Sequence, residues 1–213
     1  MEKVRIGVIG CGGIANGKHM PAHKANPHSE MVAFCDIVIE RAEKAKEEYG
    51  APGAKTYVDY KQLLKDKSID AVLVLTHNSE HCRITVDALN AGKHVMCEKP
   101  MAMNYEEAKK MIEARDKSGK VLTIGYQNRY RQDSLYLKKL ADAGKFGEIY
   151  YAEATAIRRR AVPTWGVFID EVKQGGGPLI DIGTHALDLT LFMMNNYEPA
   201  YCVGKTYHLS LIH

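Results

Sequence analysis

The chain has 213 residues, longer than one typical domain and short for two, so one complete domain followed by part of another is the expected plan. Hydrophobic residues make up 46% and charged residues 26%, which excludes a disordered or collagen-like chain and allows a sizeable core. The net charge of +3 is spread out, and the densest basic run, Arg158-Arg159-Arg160, is too short for a nucleic-acid footprint, so no nucleic-acid partner is expected. The five cysteines, Cys11, Cys35, Cys82, Cys97 and Cys202, are odd in number and widely spaced, with no CxxC pair. Reduced thiols and no bound metal are therefore expected. Neither a signal peptide nor an apolar run of membrane-spanning length is visible, and a cytoplasmic location follows by elimination.

In chain order, Val4 to Ile9 is an apolar run that ends in glycines and leads into a stretch of helical period, which reads as strand, tight turn and helix. The unit recurs. Met31 to Cys35 predicts a strand and Ile39 to Tyr49 a helix; Ala71 to Leu75 predicts a strand and Ser79 to Asn90 a helix. His94 to Cys97, Tyr105 to Lys117 and Val121 to Ile124 continue the alternation as strand, helix and strand. Such alternation predicts an α/β fold with a doubly wound parallel sheet, helices on both faces, over residues 1–125.

After Gly125 the pattern changes to a helix at about Ser134 to Ala143 and a strand-like alternation from Glu148 to Arg158. A glycine cluster, Gly175-Gly176-Gly177-Pro178, then precedes an apolar helix from about Leu179 to Met194, and Ala200 to Tyr207 predicts a last strand. Residues 126–213 are thus expected to begin an α+β substrate domain that is incomplete, because two strands and a helix or two cannot bury their own faces. The chain reads as cut short. Leu209-Ser210-Leu211-Ile212-His213 is similar to the in-frame translation of an adapter used in DNA library preparation, which points to an artefactual terminus.

Gly10-Cys11-Gly12-Gly13-Ile14-Ala15 fits G-x-G-x-x-A between a strand and a helix. Here Gly10 permits the tight turn, Gly12 lets the backbone approach a pyrophosphate, and the N-terminus of the helix, with Gly13 and Ile14, supplies unpaired N–H groups. Asp36 closes the second strand, where a carboxylate accepts ribose hydroxyls and repels a 2′-phosphate. NAD is expected as the cofactor, with NADP not excluded.

The stretch Ala91-Gly92-Lys93-His94-Val95-Met96-Cys97-Glu98-Lys99-Pro100 resembles the AGKHV-x-x-EKP signature of the Gfo/Idh/MocA family, named for glucose-fructose oxidoreductase and inositol dehydrogenase. Gly125-Tyr126-Gln127-Asn128-Arg129-Tyr130 and Gly175 to His185 are similar to two further family segments, and the resemblance extends to about Tyr207. It implies that Lys99 is catalytic, that Glu98 touches the nicotinamide-side ribose, and that Pro100 follows a cis bond. It also implies that His185 is the general acid/base, with Asp181 binding substrate or orienting the histidine. On a helix the i, i+4 spacing of that pair places both on one face, and imidazole titrates near neutrality, as the proton transfer requires.

Thr76, Asn78 and His81 match the family's cofactor-side loop, and Gln127 follows a strand end where an amide reads nicotinamide. The resemblance thus implies hydride transfer between a nicotinamide cofactor and a hydroxyl-bearing carbon of a sugar, inositol or related polyol, in a homo-oligomer. An NAD-using glycosidase with transient oxidation and a non-catalytic dinucleotide sensor are the alternatives.

Three features stand apart. His77-Asn78-Ser79-Glu80-His81 matches the H-x-x-E-H metallopeptidase pattern, but His77 is expected before the helix begins, off the face of His81. Family members commonly have Pro where His77 stands. Arg158 and Arg160 on a strand would face one side, and Trp165 in its loop is suited either to stack on a sugar ring or to pack against the domain.

Overall fold

The computed structural model describes residues 2–157, 163–164 and 166–207. Six strands form one sheet: β1 (Val4–Ile9), β2 (Ser29–Cys35), β3 (Lys55–Tyr57), β4 (Ala71–Val74), β5 (His94–Cys97) and β6 (Leu122–Ile124). Their order is β3-β2-β1-β4-β5-β6 and every pairing is parallel. This is the doubly wound order, in which the chain runs outward in opposite directions from β1 and β4 and leaves a crevice at their carboxyl ends.

The connections are α1 (Met20–Ala25), α2 (Ile39–Tyr49), α3 (Tyr60–Leu64), α4 (Asn78–Asn90) and α5 (Tyr105–Ser118), with a π-turn, Ala15–His19, leading into α1. Strand alternation feeds two apolar layers. Ile6, Val8, Leu73 and Leu75 point to one, with Met20, Met31 and Phe34; Ile9, Val72 and Val74 point to the other, with Leu63, Leu89, Val95 and Met111. Burial on both faces explains why these strands read as continuous apolar runs. Each fully buried Phe or Leu side chain contributes about 1.5–3 kcal/mol.

The short β3 and α3 were not expected from the sequence. β3 is a three-residue edge strand, Lys-Thr-Tyr, whose charge and brevity suit a sheet edge and give no apolar pattern to read.

Beyond β6 come a 3₁₀ turn (Gln127–Tyr130), α6 (Gln132–Asp142), α7 (Glu171–Gln174), a second π-turn (Leu179–Gly183) and α8 (Thr184–Met194). The single helix expected from Leu179 to Met194 is thus a π-turn continued by an α-helix. The two strands expected after Gly147 are corrected: residues 148–157 and 200–207 form no ladder, and Tyr150, Ile157, Tyr201 and Val203 are exposed. No described strand pairs with either segment, and alternation alone cannot satisfy a strand's backbone groups. Among the described residues no helix is long and apolar enough to cross a membrane.

Gly10 ties the sheet's centre together. Its φ is +94°, and a Cβ there would lie 2.6 Å from the Leu75 carbonyl oxygen at the end of β4. Gly10→Ala is expected to destabilise the chain by about 3 kcal/mol, from backbone strain and the clash together. A thermal unfolding midpoint equal to that of the unsubstituted chain would contradict this.

Candidate functional site

The glycine turn is held from beneath. Asp36 is buried at the end of β2; its Oδ2 accepts the Cys11 N–H at 2.9 Å and its Oδ1 the Val38 N–H at 2.9 Å. Asn16 donates its side-chain amide to the Cys11 and Gly12 carbonyls at 2.8 and 2.9 Å, closing the turn from the helix side. Above it the ground is open: a Cβ on Gly12 or Gly13 would meet nothing within 4 Å, and Ile14 is 44% exposed. The thiols of Cys11 and Cys35 are each pushed up to about 12, first by burial and then by the Asp36 charge, so they remain protonated packing groups.

The carboxyl end of β5 carries Glu98, Lys99 and a cis-bonded Pro100. Glu98 accepts His19 Nε2 on Oε1 at 2.7 Å and the Lys99 N–H on Oε2 at 3.0 Å. Burial pushes the proton affinity of Glu98 up, but His19 and the Lys99 N–H outweigh it, and the carboxyl stays below its ordinary range. The Lys99 ammonium donates to the Asp181 carbonyl at 2.9 Å and to its Oδ1 at 3.1 Å. That leaves one of its three donors for another acceptor.

His185, at the start of α8, has a buried Nδ1 that makes no hydrogen bond among the described residues. Burial, with the Lys99 charge adding to it, depresses its proton affinity below the ordinary value of 6.5 and favours the neutral ring. Tyr126 meets the ring edge-on, centroids 6.4 Å apart, and its hydroxyl bonds Thr184 Oγ1 at 3.0 Å. Asp181 and His185 do not bond each other. Asp181 stands in the π-turn, and its carboxylate lies 3.1 Å from the Lys99 ammonium.

Other predicted residues divide in two. His81 is 1% exposed, with Nδ1 2.8 Å from the Pro100 carbonyl and Nε2 3.1 Å from that of Thr76. Burial lowers its proton affinity and favours the neutral ring, which carries one N–H and so donates to one of these two carbonyls. Asn78 is also buried and donates to the Gln174 carbonyl at 2.9 Å, binding α4 to α7. Thr76 is half-buried with its hydroxyl turned to the His77 carbonyl, and Gln127 is exposed on the 3₁₀ turn.

His77 is the extended cap residue before α4, bonded to Ser79, so the H-x-x-E-H histidines are engaged separately. Among the described residues no group of three or more His, Cys, Asp or Glu is arranged to hold a metal ion. Arg158, Arg159, Arg160 and Trp165 lie outside the described residues.

Sequence reasoning missed two contributors. His19 stands on the first π-turn and reaches Glu98; a histidine one turn beyond a dinucleotide motif was its only signal. Asp188, buried on α8, takes both Nε and Nη2 of Arg129, with the guanidinium over Phe192 at 5.0 Å. An acid three residues after His185 in an apolar helix was the signal for that pair.

Residues 4–126 match the model described as the oxidoreductase family with an NAD-binding Rossmann fold, and residues 134–210 match the GFO/IDH/MocA C-terminal domain. The chain belongs to the Gfo/Idh/MocA family. D-glucoside 3-dehydrogenase of Escherichia coli is 40% identical over 90% of this chain and 54% of its own. An inositol 2-dehydrogenase of Salmonella paratyphi B is 34% identical over 76% and 48%. The chain therefore spans about half the length of the curated relatives it matches. Among solved structures, the WlbA dehydrogenase of Bordetella pertussis, in complex with NADH and UDP-GlcNAcA, superposes with a TM-score of 0.81 at 28% identity, over 90% of this chain and 55% of that one.

The Gfo/Idh/MocA fold implies a bound dinucleotide, and the residues present fit it. The open ground over Gly12 and Gly13, at a helix start whose first N–H groups have no intrahelical acceptor, suits a pyrophosphate. The carboxylate of Asp36, held by two backbone N–H groups at the end of β2, would accept adenosine hydroxyls. Because a Cβ on Gly12 would occupy only that open ground, Gly12→Ala is expected to leave the unfolding midpoint unchanged while weakening NAD binding by about tenfold, on the order of one lost charged contact. Equal affinity by calorimetry or fluorescence titration would remove the pyrophosphate from this position.

Proposed function

We propose that the protein carrying this chain is an NAD-dependent dehydrogenase that oxidises a hydroxyl-bearing carbon of a sugar, inositol or related polyol. Residues 1–125 act as its cofactor half, and residues 126–213 as the beginning of its substrate half. The observation that carries the reading is the convergence of Lys99, pinned by Asp181, with a neutral His185 at the carboxyl end of the sheet, beside the glycine turn. Open α/β sheets take their ligands there.

A dinucleotide held by its pyrophosphate at the glycine turn would supply the hydride acceptor. The remaining work is proton management by the chain. His185, kept neutral, accepts the hydroxyl proton of the substrate. Lys99 gives its remaining N–H to the same oxygen and stabilises the charge that develops as the proton departs. Asp181 holds the ammonium in place, and Asp36, a fixed negative charge at the adenosine end, favours NAD over a 2′-phosphorylated cofactor.

Two outcomes follow. Incubated with NAD and a panel of glucosides, inositols and other polyols, the protein carrying this chain is expected to form NADH, and Lys99→Ala to lower kcat by at least about a thousandfold with little change in NAD affinity. Undiminished turnover of that variant would end the assignment of Lys99. In the oxidative direction kcat/KM is expected to rise with pH through an apparent pKa below 6.5, the ordinary histidine value, because His185 must be neutral to take the proton and its environment favours that form. An acid limb at or above that value would contradict the depressed proton affinity of His185.

A further inference from the structure

Glu98 precedes Lys99 at the end of β5, and its oxygens are both engaged within the chain. On one side the Gly125 backbone stands so close that a Cβ there would be 3.2 Å from Glu98 Oε1. On the other, His19 Nε2 lies 2.7 Å from the same oxygen, with the two side chains only 15% and 12% exposed. An ionised carboxylate accepts only, so Nε2 carries the proton and donates. Shielded from water, such a charge-assisted bond holds its geometry well. The second oxygen receives the Lys99 backbone N–H at 3.0 Å.

His19 meets Glu98 from the end of one wide turn, Ala15–His19, that leads into α1. An extra residue in a helical turn re-aims the side chains around it, and such turns recur at functional sites. From the opposite flank His81 Nδ1 lies 2.8 Å from the Pro100 carbonyl, so the loop has a contact at the Lys99 N–H and another one residue beyond Lys99.

We propose that His19 is a positioning residue for the reacting lysine: its Nε2–H fixes the carboxylate of Glu98, which fixes the Lys99 backbone and thereby the aim of the ammonium at Asp181. The inference rests on the dehydrogenase reading for Lys99. It links the helix that follows the cofactor turn to the group that meets the substrate hydroxyl.

His19→Phe removes the donor and keeps the ring's bulk, whereas His19→Gln returns an N–H to the place of Nε2. Lys99 is read directly by competitive acetylation with acetic anhydride followed by peptide mapping, in the absence of substrate, and kcat and NAD affinity are measured on the same proteins. His19→Phe is expected to raise Lys99 acetylation and lower kcat, each by about tenfold, the order of one charge-assisted hydrogen bond, with NAD affinity within about twofold. His19→Gln is expected to restore both. Glu98→Gln, which keeps the loop's shape, provides a second route if the Phe variant folds poorly, and it too should expose Lys99.

Acetylation unchanged in His19→Phe or Glu98→Gln, or raised equally in His19→Gln and His19→Phe, overturns the inference even if Lys99→Ala is inactive. An active Lys99→Ala variant overturns the dehydrogenase reading instead, and with it the place of His19 in catalysis.

Discussion

The ammonium of Lys99 donates to both the backbone and the side chain of Asp181, 82 residues further along the chain, and this pair joins the sheet to the segment that ends in His185. Both side chains are mostly shielded, at 18% and 27% exposure, so the bonds retain much of the roughly 1.5–3 kcal/mol that charge-assisted hydrogen bonds contribute. The local electrostatics follow from it. With Asp181 committed to Lys99, the positive charge stays next to His185, and burial and that charge together keep the imidazole neutral. Moving Asp181 to His185 would reverse this, since a carboxylate bonded to a ring N–H favours imidazolium. The i, i+4 spacing suggested that second arrangement. In the structure the carboxylate bonds Lys99 instead.

The sheet was legible because buried parallel strands announce themselves as apolar runs between glycines and charged helices. β1 and β5 keep the bounds read from the sequence, Val4–Ile9 and His94–Cys97, and α2 does the same over Ile39–Tyr49. β3 and α3 were illegible for the complementary reason. Lys55–Tyr57 is an edge strand too short to alternate, and α3 offers one turn of apolar residues, Tyr60, Leu63 and Leu64, between charges. In the segments 148–157 and 200–207 the failure ran the other way. Their alternation is real, but pairing needs a neighbouring backbone, and none of the described strands supplies one.

Within the site, the sequence pointed to residues and misjudged some of their partners. Glu98, Lys99, Asp181 and His185 do lie together, because motif spacing records which residues recur. It does not record which atom bonds which. His81 and Asn78 illustrate this: both stand in the first turn of α4 and are buried, with the Pro100 and Thr76 carbonyls beside the His81 ring and the Asn78 amide donating to Gln174. Asp36 is a milder case. Its two oxygens hold Cys11 and Val38 backbone N–H groups, so before it meets any ribose it already shapes the turn. Each oxygen keeps a second lone pair, and the two tasks are compatible.

The two π-turns give this site a common structural origin. Ala15–His19 follows the glycine turn and aims His19 at Glu98; Leu179–Gly183 follows the second glycine cluster and aims Asp181 at Lys99. Each contains a glycine, Gly17 or Gly183, and each passes straight into a regular helix, α1 or α8. A wide turn has poorer backbone geometry than an α-turn and persists where tertiary contacts compensate. Here the compensating contacts are the hydrogen bonds to Glu98 and Lys99, adjacent residues at the end of β5. Both helices are thus tied to one loop, so a change to that loop would release two contacts at once and disperse the groups around it.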